Sequence, residues 1–350
     1  MRKEDIENQE HRYLNRSLWA NLQSLKSTVS FMQTGAHPDD ETSRLLAKLS
    51  LDEGYYVSYV NAVRGQGGQN SIGPERDDNL GALRTYELLK AMSVLRVDIG
   101  WLANSRNNSI VDFGLSKSAE ETFEFWDKKY TIKRMIRMVR AYKPDIIIPT
   151  FLDVDGQHGH HRAVTRATIE AYDKSNDPEM FPDDDFGPWK ISQIFLPAWS
   201  GGGGSYDDEE DPPKATHSID VGNFNHIYGG TYNQIGEWSR SYHATQNIGK
   251  LAHEDNIDVP LHLLKGTYVD GDITGGVIPK NFLELSNFAI NENGKKVLQE
   301  CHKLANDAIA NFNKPEHLVS SLCKLQNLLN TKQPLVPDNH SHRIILKQKQ

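Results

Sequence analysis

The chain has 350 residues, with 39 lysines and arginines against 47 aspartates and glutamates, which gives a formal net charge of −8. Proteins that bind phosphate backbones normally present a basic face, so this balance argues against nucleic acid as a partner. Two cysteines are too few for a disulfide framework. No apolar run approaches the ~18–20 residues of a membrane span, and the N-terminal residues contain no apolar signal core. We therefore expect a soluble, cytoplasmic protein without a membrane span.

An amphipathic helix is predicted at the start of the chain, where leucines recur at helical spacing at Leu14, Leu18, Leu22 and Leu25. Strand-like and helical segments then alternate. Strands are predicted, in chain order, at residues 28–33, 55–63, 97–102, 145–151, 190–199 and 216–221. Helices are predicted at residues 42–50, 79–95 and about 132–139, in the stretch after His161, and from about residue 295 onward.

Strands separated by helices of this length are typical of βαβ units. The chain is therefore predicted to be an α/β protein with a Rossmann-like, mostly parallel sheet, helices on both faces, and a C-terminal helical extension. The predicted organisation is an N-terminal helix at residues 1–27, a main domain at 28–285 and the helical extension at 286–350. Ligands of such sheets bind outside the carboxyl ends of the strands, so the loops that follow the strands are expected at one edge.

The loop after the first predicted strand reads Gly-Ala-His-Pro-Asp-Asp-Glu at residues 35–41. His37, Asp39 and Asp40 are residue types that bind metals or transfer protons, and Pro38 stiffens the turn between them. The alternative is an acidic N-cap, because a carboxylate accepts the free N–H groups at a helix start. That alternative explains one aspartate but not the histidine or the second aspartate. The residue types therefore favour metal binding or catalysis.

A second cluster follows the buried strand predicted at residues 145–151, and it contains His158, His160 and His161 within four positions. A polar surface loop is the alternative, but protonated histidines this close together would repel one another. Neutral imidazole is the commonest metal ligand, and a catalytic zinc takes three nitrogen or oxygen ligands plus a water. One histidine and one carboxylate from the first loop, with one histidine here, would make such a set. A carboxylate and a histidine would remain for proton transfer.

The two clusters, in this order on a βαβ pattern, resemble the LmbE-like de-N-acetylase family, also called the PIG-L family. Arg-Thr-Tyr-Glu at residues 84–87 and His-Ala-Thr-Gln at 243–246 are similar to recurrent signatures of that family. The resemblance extends over residues 28 to about 250, and it identifies the segment 28–285 as an LmbE-like deacetylase domain. It implies a zinc-dependent amidase, with one Zn²⁺ per chain, that removes an acetyl group from an amino sugar or amino-sugar conjugate. The implied partner is a small-molecule or carbohydrate substrate.

The resemblance also implies a role for each matching residue. His37, Asp40 and His161 correspond to the zinc ligands. Asp39 corresponds to the general base that takes a proton from the attacking water. His158 corresponds to the residue that stabilises the oxyanion and, as general acid, protonates the leaving amine, which requires a protonated His158 when substrate is bound.

The chain departs from the family between the two matching histidines, where Gly159 and His160 stand in place of the common Pro-Asp pair. The missing aspartate is a candidate for orienting a histidine, and Asp153 or Asp155 is a candidate to replace it. His160 is also a competitor of His161 for the third ligand position. We keep His161, because the helix predicted to begin there directs its side chain as in the family.

Two further residues are predicted to bind substrate. Arg64 begins the glycine-rich loop at residues 64–70, whose spacing does not fit the dinucleotide-binding pattern. Arg64 is predicted to reach substrate hydroxyls or an acyl oxygen, with a plain surface arginine as the alternative. His243 is predicted either to contact substrate or to support the site.

Two other functions compete with the deacetylase. A metal-dependent phosphoesterase would need more carboxylates, bridging two ions about 3.5–4 Å apart. A non-catalytic carbohydrate-binding protein would need neither Asp39 nor His158. The C-terminal helices are compatible with a homo-oligomer or with a cap over the site.

Overall fold

The structure is a computed structural model that describes residues 16–104, 108–199, 208–249, 258–330 and 334–337. Helix α1 covers residues 16–23 and contains Leu18 and Leu22 of the predicted N-terminal helix, while Leu14 lies outside the described residues. Within the described part of the chain, no helix is both long and apolar enough to cross a bilayer.

Nine strands lie in the described residues: β1 (Ser30–Gly35), β2 (Tyr56–Asn61), β3 (Asp98–Trp101), β4 (Ile146–Pro149), β5 (Gln193–Pro197), β6 (His217–Asp220), β7 (Phe224–Asn225), β8 (Gly230–Thr231) and β9 (Asp258–Lys265). Seven form one sheet in the order β3-β2-β1-β4-β5-β9-β6, and β7 pairs with β8 separately. The first five are parallel, whereas β9 runs antiparallel to both β5 and β6. The predicted mostly parallel sheet is confirmed.

Helices cover both faces of the sheet. Helices α2 (Ser43–Leu51), α3 (Asp77–Leu95) and α7 (Tyr232–Arg240) pack on one face, and α4 (Ala119–Trp126), α5 (Lys128–Tyr142) and α6 (Gly159–Lys174) pack on the other. The pleat of a strand sends successive side chains to opposite faces. Along β1, Phe31 therefore joins the first hydrophobic cluster and Met32 the second.

Several elements were not predicted, among them α4, the β7–β8 pair, β9 and α7, and each of the last two contains a residue that obscures its pattern. Strand β9 contains Pro260, which lacks the N–H that an interior strand normally donates. Helix α7 contains Gly236, which weakens a helix. A Cβ at Gly236 would lie 2.6 Å from the backbone nitrogen of Arg44, so only glycine allows α7 to approach α2 this closely.

The two ends of the described chain pack together. Helices α9 (Glu292–Ala310) and α10 (Pro315–Leu329) lie in the predicted helical extension. Helix α8 (Phe282–Leu285) precedes the predicted start of the extension at residue 286 but packs with these two helices. Leu22 of α1 lies in one hydrophobic cluster with Ala308 of α9 and Leu318 of α10. The N-terminal helix therefore packs against the extension, and the exact domain boundaries remain a prediction.

Candidate metal centre and active site

The two predicted loops converge where the strand order reverses. Strands β1 and β4 are parallel neighbours, and the chain leaves them toward opposite edges of the sheet. His37 lies in the loop after β1, and His161 lies in the first turn of α6, which follows β4. The Nδ1 atom of His37 is 3.1 Å from Nε2 of His161. The site thus occupies the crevice where open α/β sheets bind ligands.

Three side-chain atoms form a compact triangle. Besides the 3.1 Å between the two imidazoles, Asp40 Oδ2 lies 3.3 Å from His161 Nε2 and 3.5 Å from His37 Nδ1. Tetrahedral zinc with bonds of about 2.0–2.1 Å places its ligand atoms about 3.3–3.4 Å apart. The spacing and the nitrogen and oxygen donors therefore fit one zinc ion. The triangle consists of the three residues predicted as ligands, and the ion itself stays a prediction.

The charges of the triangle favour a cation. Burial raises the pKa of Asp40, but His161 and His37 outweigh it and hold that pKa well below its usual range. Burial lowers the pKa of His37, but the carboxylate of Asp40 outweighs it, and the pKa rises to about 9. The site therefore keeps an anion at Asp40 and stabilises positive charge beside it, which a divalent cation would supply.

Two of the three triangle residues are held by neighbouring hydrogen bonds. Asp40 Oδ2 accepts the backbone N–H groups of Ala36 at 2.9 Å and His37 at 2.8 Å. The Nδ1 of His161 is 2.6 Å from Oε1 of Gln157, which fixes the proton on Nδ1 and leaves Nε2 with a lone pair for a metal. Gln157 was missed from the sequence. The sequence feature that could have identified it is its position four residues before His161, at the start of a helix.

His158 lies beside the triangle, stacked on His37 with ring centroids 5.1 Å apart. Its Nε2 is 3.0 Å from the carbonyl oxygen of Gly114, and because that oxygen only accepts, Nε2 carries the proton. Burial, followed by the charges of His37 and His161, lowers the pKa of His158 to about 3. His158 is therefore neutral at rest, and it must gain a proton before it can act as the predicted general acid.

Asp39 has an unusual backbone that other groups hold in place. Its φ of 106° lies in a region that residues other than glycine rarely adopt. Its N–H donates to Oε2 of Glu41 at 3.0 Å, and Arg240 donates to the carbonyl oxygens of both Asp39 and Glu41. Burial, and then the carboxylates of Asp40 and Glu41, raise the pKa of Asp39 to about 7. A carboxyl group with such a pKa is suited to general base catalysis near neutral pH.

His243 supports the first loop from behind. Its side chain is fully buried, and its Nε2 lies 2.7 Å from Oε1 of Glu41. Gln246 donates to the carbonyl oxygen of Pro38 at 2.7 Å. Of the two roles that the sequence left open for His243, the structure favours support of the site over contact with substrate.

The two other family-like signatures meet in space. Arg84 donates to the carbonyl oxygen of Gln69 at 2.7 Å and so holds the glycine-rich loop. Glu87 accepts the N–H and the hydroxyl of Thr245 at 2.8 and 2.6 Å. The signatures at residues 84–87 and 243–246 therefore position loops around the site.

Arg64 lies at the edge of a cavity next to these loops. Its guanidinium stacks on Trp101, 4.0 Å from the ring centroid, and donates to Thr85 at 3.0 Å. The cavity has a volume of about 550 Å³ and is lined by Arg64, Gln66, Asp78, Asn79, Gly81, Ala82 and Thr85. The role of Arg64 in substrate binding stays a prediction.

The aspartates suggested as replacements near His158 have other partners. Arg162 donates to Asp153 at 2.9 Å and to Asp155 at 2.8 Å, and Arg166 also pairs with Asp153. The structure therefore does not support either carboxylate as the replacement for the missing family aspartate.

His160 is fully buried and does not face the triangle. Its Nδ1 lies 3.1 Å from Nε2 of His37, on the side of that ring opposite to Asp40 and His161. Besides the triangle, two other sets of three side chains in the described residues have candidate ligand atoms within 4.8 Å of one another, and His37 belongs to both. One set adds His158 and His161, and the other adds Asp112 and His160.

The fold and this cluster together define an α/β protein with a candidate metal centre at the switch point of its sheet. Residues 32–172 match the family model described as PIG-L, GlcNAc-PI de-N-acetylase. The matched segment contains both histidine clusters, and the predicted resemblance to this family is confirmed.

The individual relatives match this chain at low sequence identity. A 1D-myo-inositol 2-acetamido-2-deoxy-alpha-D-glucopyranoside deacetylase from Streptomyces scabiei is 30% identical over 46% of this chain and 53% of its own length. A mycothiol S-conjugate amidase from Streptomyces coelicolor is 27% identical over 45% of this chain and 57% of its own length. The chain thus spans little more than half of these two relatives. Among solved structures, an N,N'-diacetylchitobiose deacetylase from Pyrococcus horikoshii is 18% identical, with 68% of this chain and 84% of that chain covered and a TM-score of 0.42.

Proposed function

We propose that the chain hydrolyses the N-acetyl amide of an amino sugar or amino-sugar conjugate with one bound Zn²⁺. The observation that carries the proposal is the triangle of His37, Asp40 and His161, with the buried carboxyl group of Asp39 next to it in the chain. The names of the two Streptomyces relatives, a deacetylase and an amidase, support an amide as the substrate.

His37, Asp40 and His161 would hold the metal. A zinc ion there would polarise the acetyl carbonyl and lower the pKa of a water to about 7. The chain's own task is to place Asp39 against that water. The hydrogen bond from the Asp39 N–H to Glu41 and the one from Arg240 to the Asp39 carbonyl oxygen serve this purpose.

The remaining chemistry is the transfer of one proton from water to the amine. Asp39 takes the proton as the new C–O bond forms at the acetyl carbon. Negative charge then develops on the acetyl oxygen, and a nearby anion raises the pKa of a histidine. His158, neutral at rest, takes the proton from Asp39 at that stage and gives it to the nitrogen as the C–N bond breaks. The products are the free amine and acetic acid, which ionises to acetate and releases its proton to solvent at neutral pH. The cavity beside Arg64 is the proposed site for the sugar.

A two-metal phosphoesterase is less well supported. The second set of candidate ligands, Asp112 and His160, shares only the imidazole of His37 with the triangle. Two-metal sites hold their ions about 3.5–4 Å apart. The two nitrogens of one imidazole point in opposite directions, so ions bound to them would lie farther apart than this.

The proposal predicts that the zinc-loaded protein releases acetate from 1D-myo-inositol 2-acetamido-2-deoxy-α-D-glucopyranoside or from N-acetylglucosamine. Treatment with a chelator is expected to reduce the rate at least about 100-fold, because a Lewis acid contributes several kcal/mol of transition-state stabilisation. One equivalent of Zn²⁺ should restore the rate. Acetate and free amine are measured in parallel, with bis(p-nitrophenyl) phosphate as the competing substrate.

Two results would contradict the proposal. The first is acetate release that is unaffected by removal of the metal. The second is cleavage of the phosphodiester without any release of acetate from either amide.

A further inference from the structure

Gly159 and His160, the two residues that depart from the family pattern, lie in a closely packed part of the structure. A Cβ at Gly159 would lie 2.2 Å from the hydroxyl of Ser116 and 2.5 Å from the carbonyl oxygen of Ser118, so only glycine fits. This approach buries the next residue, His160, whose ring stacks on Trp126 with centroids 4.9 Å apart. The edge of a second aromatic ring, Phe113, completes the enclosure at 4.4 Å.

His37 presents its two ring nitrogens to different partners. Nδ1 faces Asp40 and His161, and Nε2 lies 3.1 Å from Nδ1 of His160. A nitrogen that binds a metal must present a lone pair, so the proton of a neutral His37 has to be on Nε2. Nδ1 of His160 is within hydrogen-bond distance to accept it.

We propose that His160 is a positioning residue for the metal centre. Its Nδ1 accepts the Nε2–H of His37, and this bond fixes the tautomer and the ring orientation that His37 needs to bind metal through Nδ1. The inference rests on the proposed metal site. It gives His37 the same kind of support that Gln157 gives His161.

The other nitrogen of His160 supports this assignment. Nε2 of His160 is buried and has no hydrogen-bond partner in the described part of the chain. A buried polar atom without a partner costs free energy, and a phenylalanine ring would fill a pocket made by Trp126 and Phe113 without that cost. The feature that distinguishes an imidazole from such a ring here is the contact of its Nδ1 with Nε2 of His37 at 3.1 Å.

Asp112 is not a direct partner of His160. Its Oδ1 is 3.9 Å from Nδ1 of His160, which is beyond hydrogen-bond distance, and it accepts the N–H of Gly114 at 2.9 Å. A second metal ion between His37, His160 and Asp112 is the competing explanation of the same geometry, and the experiment separates the two.

The test compares His160→Phe with His160→Asn in the 350-residue chain. Phenylalanine keeps the packing and removes the acceptor, whereas asparagine keeps an oxygen near the position of Nδ1. The zinc dissociation constant is measured by competition with a chromophoric chelator, together with the ratio of metal to protein. We expect His160→Phe to weaken zinc binding about 10–100-fold and His160→Asn to weaken it less than about threefold, with one metal per chain throughout.

Thermal unfolding of the metal-free proteins shows whether each variant is folded, and His160→Met is a second apolar variant if phenylalanine is not tolerated. Equal zinc affinity in the wild type and the apolar variants would overturn the role proposed for His160 and would leave the proposed metal site standing. A metal-to-protein ratio that falls from two in the wild type to one in the apolar variants would establish the second metal ion instead. A wild-type protein that binds no metal would contradict the proposed function itself.

Discussion

Asp39→Asn is expected to lower kcat for amide hydrolysis about 10²–10⁴-fold while zinc stays bound. The amide cannot accept the proton of the attacking water, but it is close in size to the carboxyl group. Asparagine also tolerates positive φ, so the backbone at 106° and its bonds to Glu41 and Arg240 should persist. The measurements are the steady-state rate of acetate release and the zinc content of the same preparation.

Asp127→Asn is the matched control. Asp127 also has positive φ, at 61°, and its side chain caps the start of α5. Asparagine caps a helix about as well as aspartate, so this variant should keep wild-type activity. Loss of zinc from Asp39→Asn would make Asp39 a ligand, and retention of most of the activity would show that it is not the general base.

His161→Ala is expected to lower zinc affinity by more than about 100-fold, beyond the 10–100-fold that loss of an outer hydrogen-bond partner costs. The reason is that His161 Nε2 is one corner of the triangle, 3.1 Å from His37 and 3.3 Å from Asp40. Hydrolysis should fall with the metal. Zinc titration of the chelator-treated protein gives the affinity, and added excess zinc shows how much activity returns.

His158→Ala is the control for this variant, because the two histidines lie within one turn of chain and only His161 belongs to the triangle. We expect His158→Ala to retain zinc. Full zinc occupancy in His161→Ala at micromolar metal would contradict the ligand assignment and would favour the other set of ligands, His37, Asp112 and His160.

The sequence was sufficient for the parallel part of the fold and for the location of the site. The segments of β1, β2 and β4 are rich in strand-forming residues, and helices such as α2 and α5 have apolar residues at helical spacing. Because the carboxyl ends of parallel strands meet at one edge, His37 and His161 could be expected to lie together although 124 positions separate them. The antiparallel β9 could not be predicted, because Pro260 contradicts the strand pattern.

The supporting contacts of the site could not be predicted, because they depend on tertiary packing. Gln157 and His160 each orient a proposed ligand, but one resembles a loop residue and the other a rival ligand in the sequence. The role of His243 depends on Glu41, which lies about 200 positions earlier. The neutral state of His158 follows from its burial among other imidazoles. A motif identifies the residue types, whereas these surroundings determine their protonation and direction.

The most direct test of the central claim is anomalous X-ray scattering at the zinc edge from crystals of the zinc-loaded protein. The account predicts one peak per chain, about 2.0–2.2 Å from Nδ1 of His37, a carboxylate oxygen of Asp40 and Nε2 of His161. A peak held instead by Nε2 of His37 with His160 and Asp112, or two peaks in each chain, would contradict it.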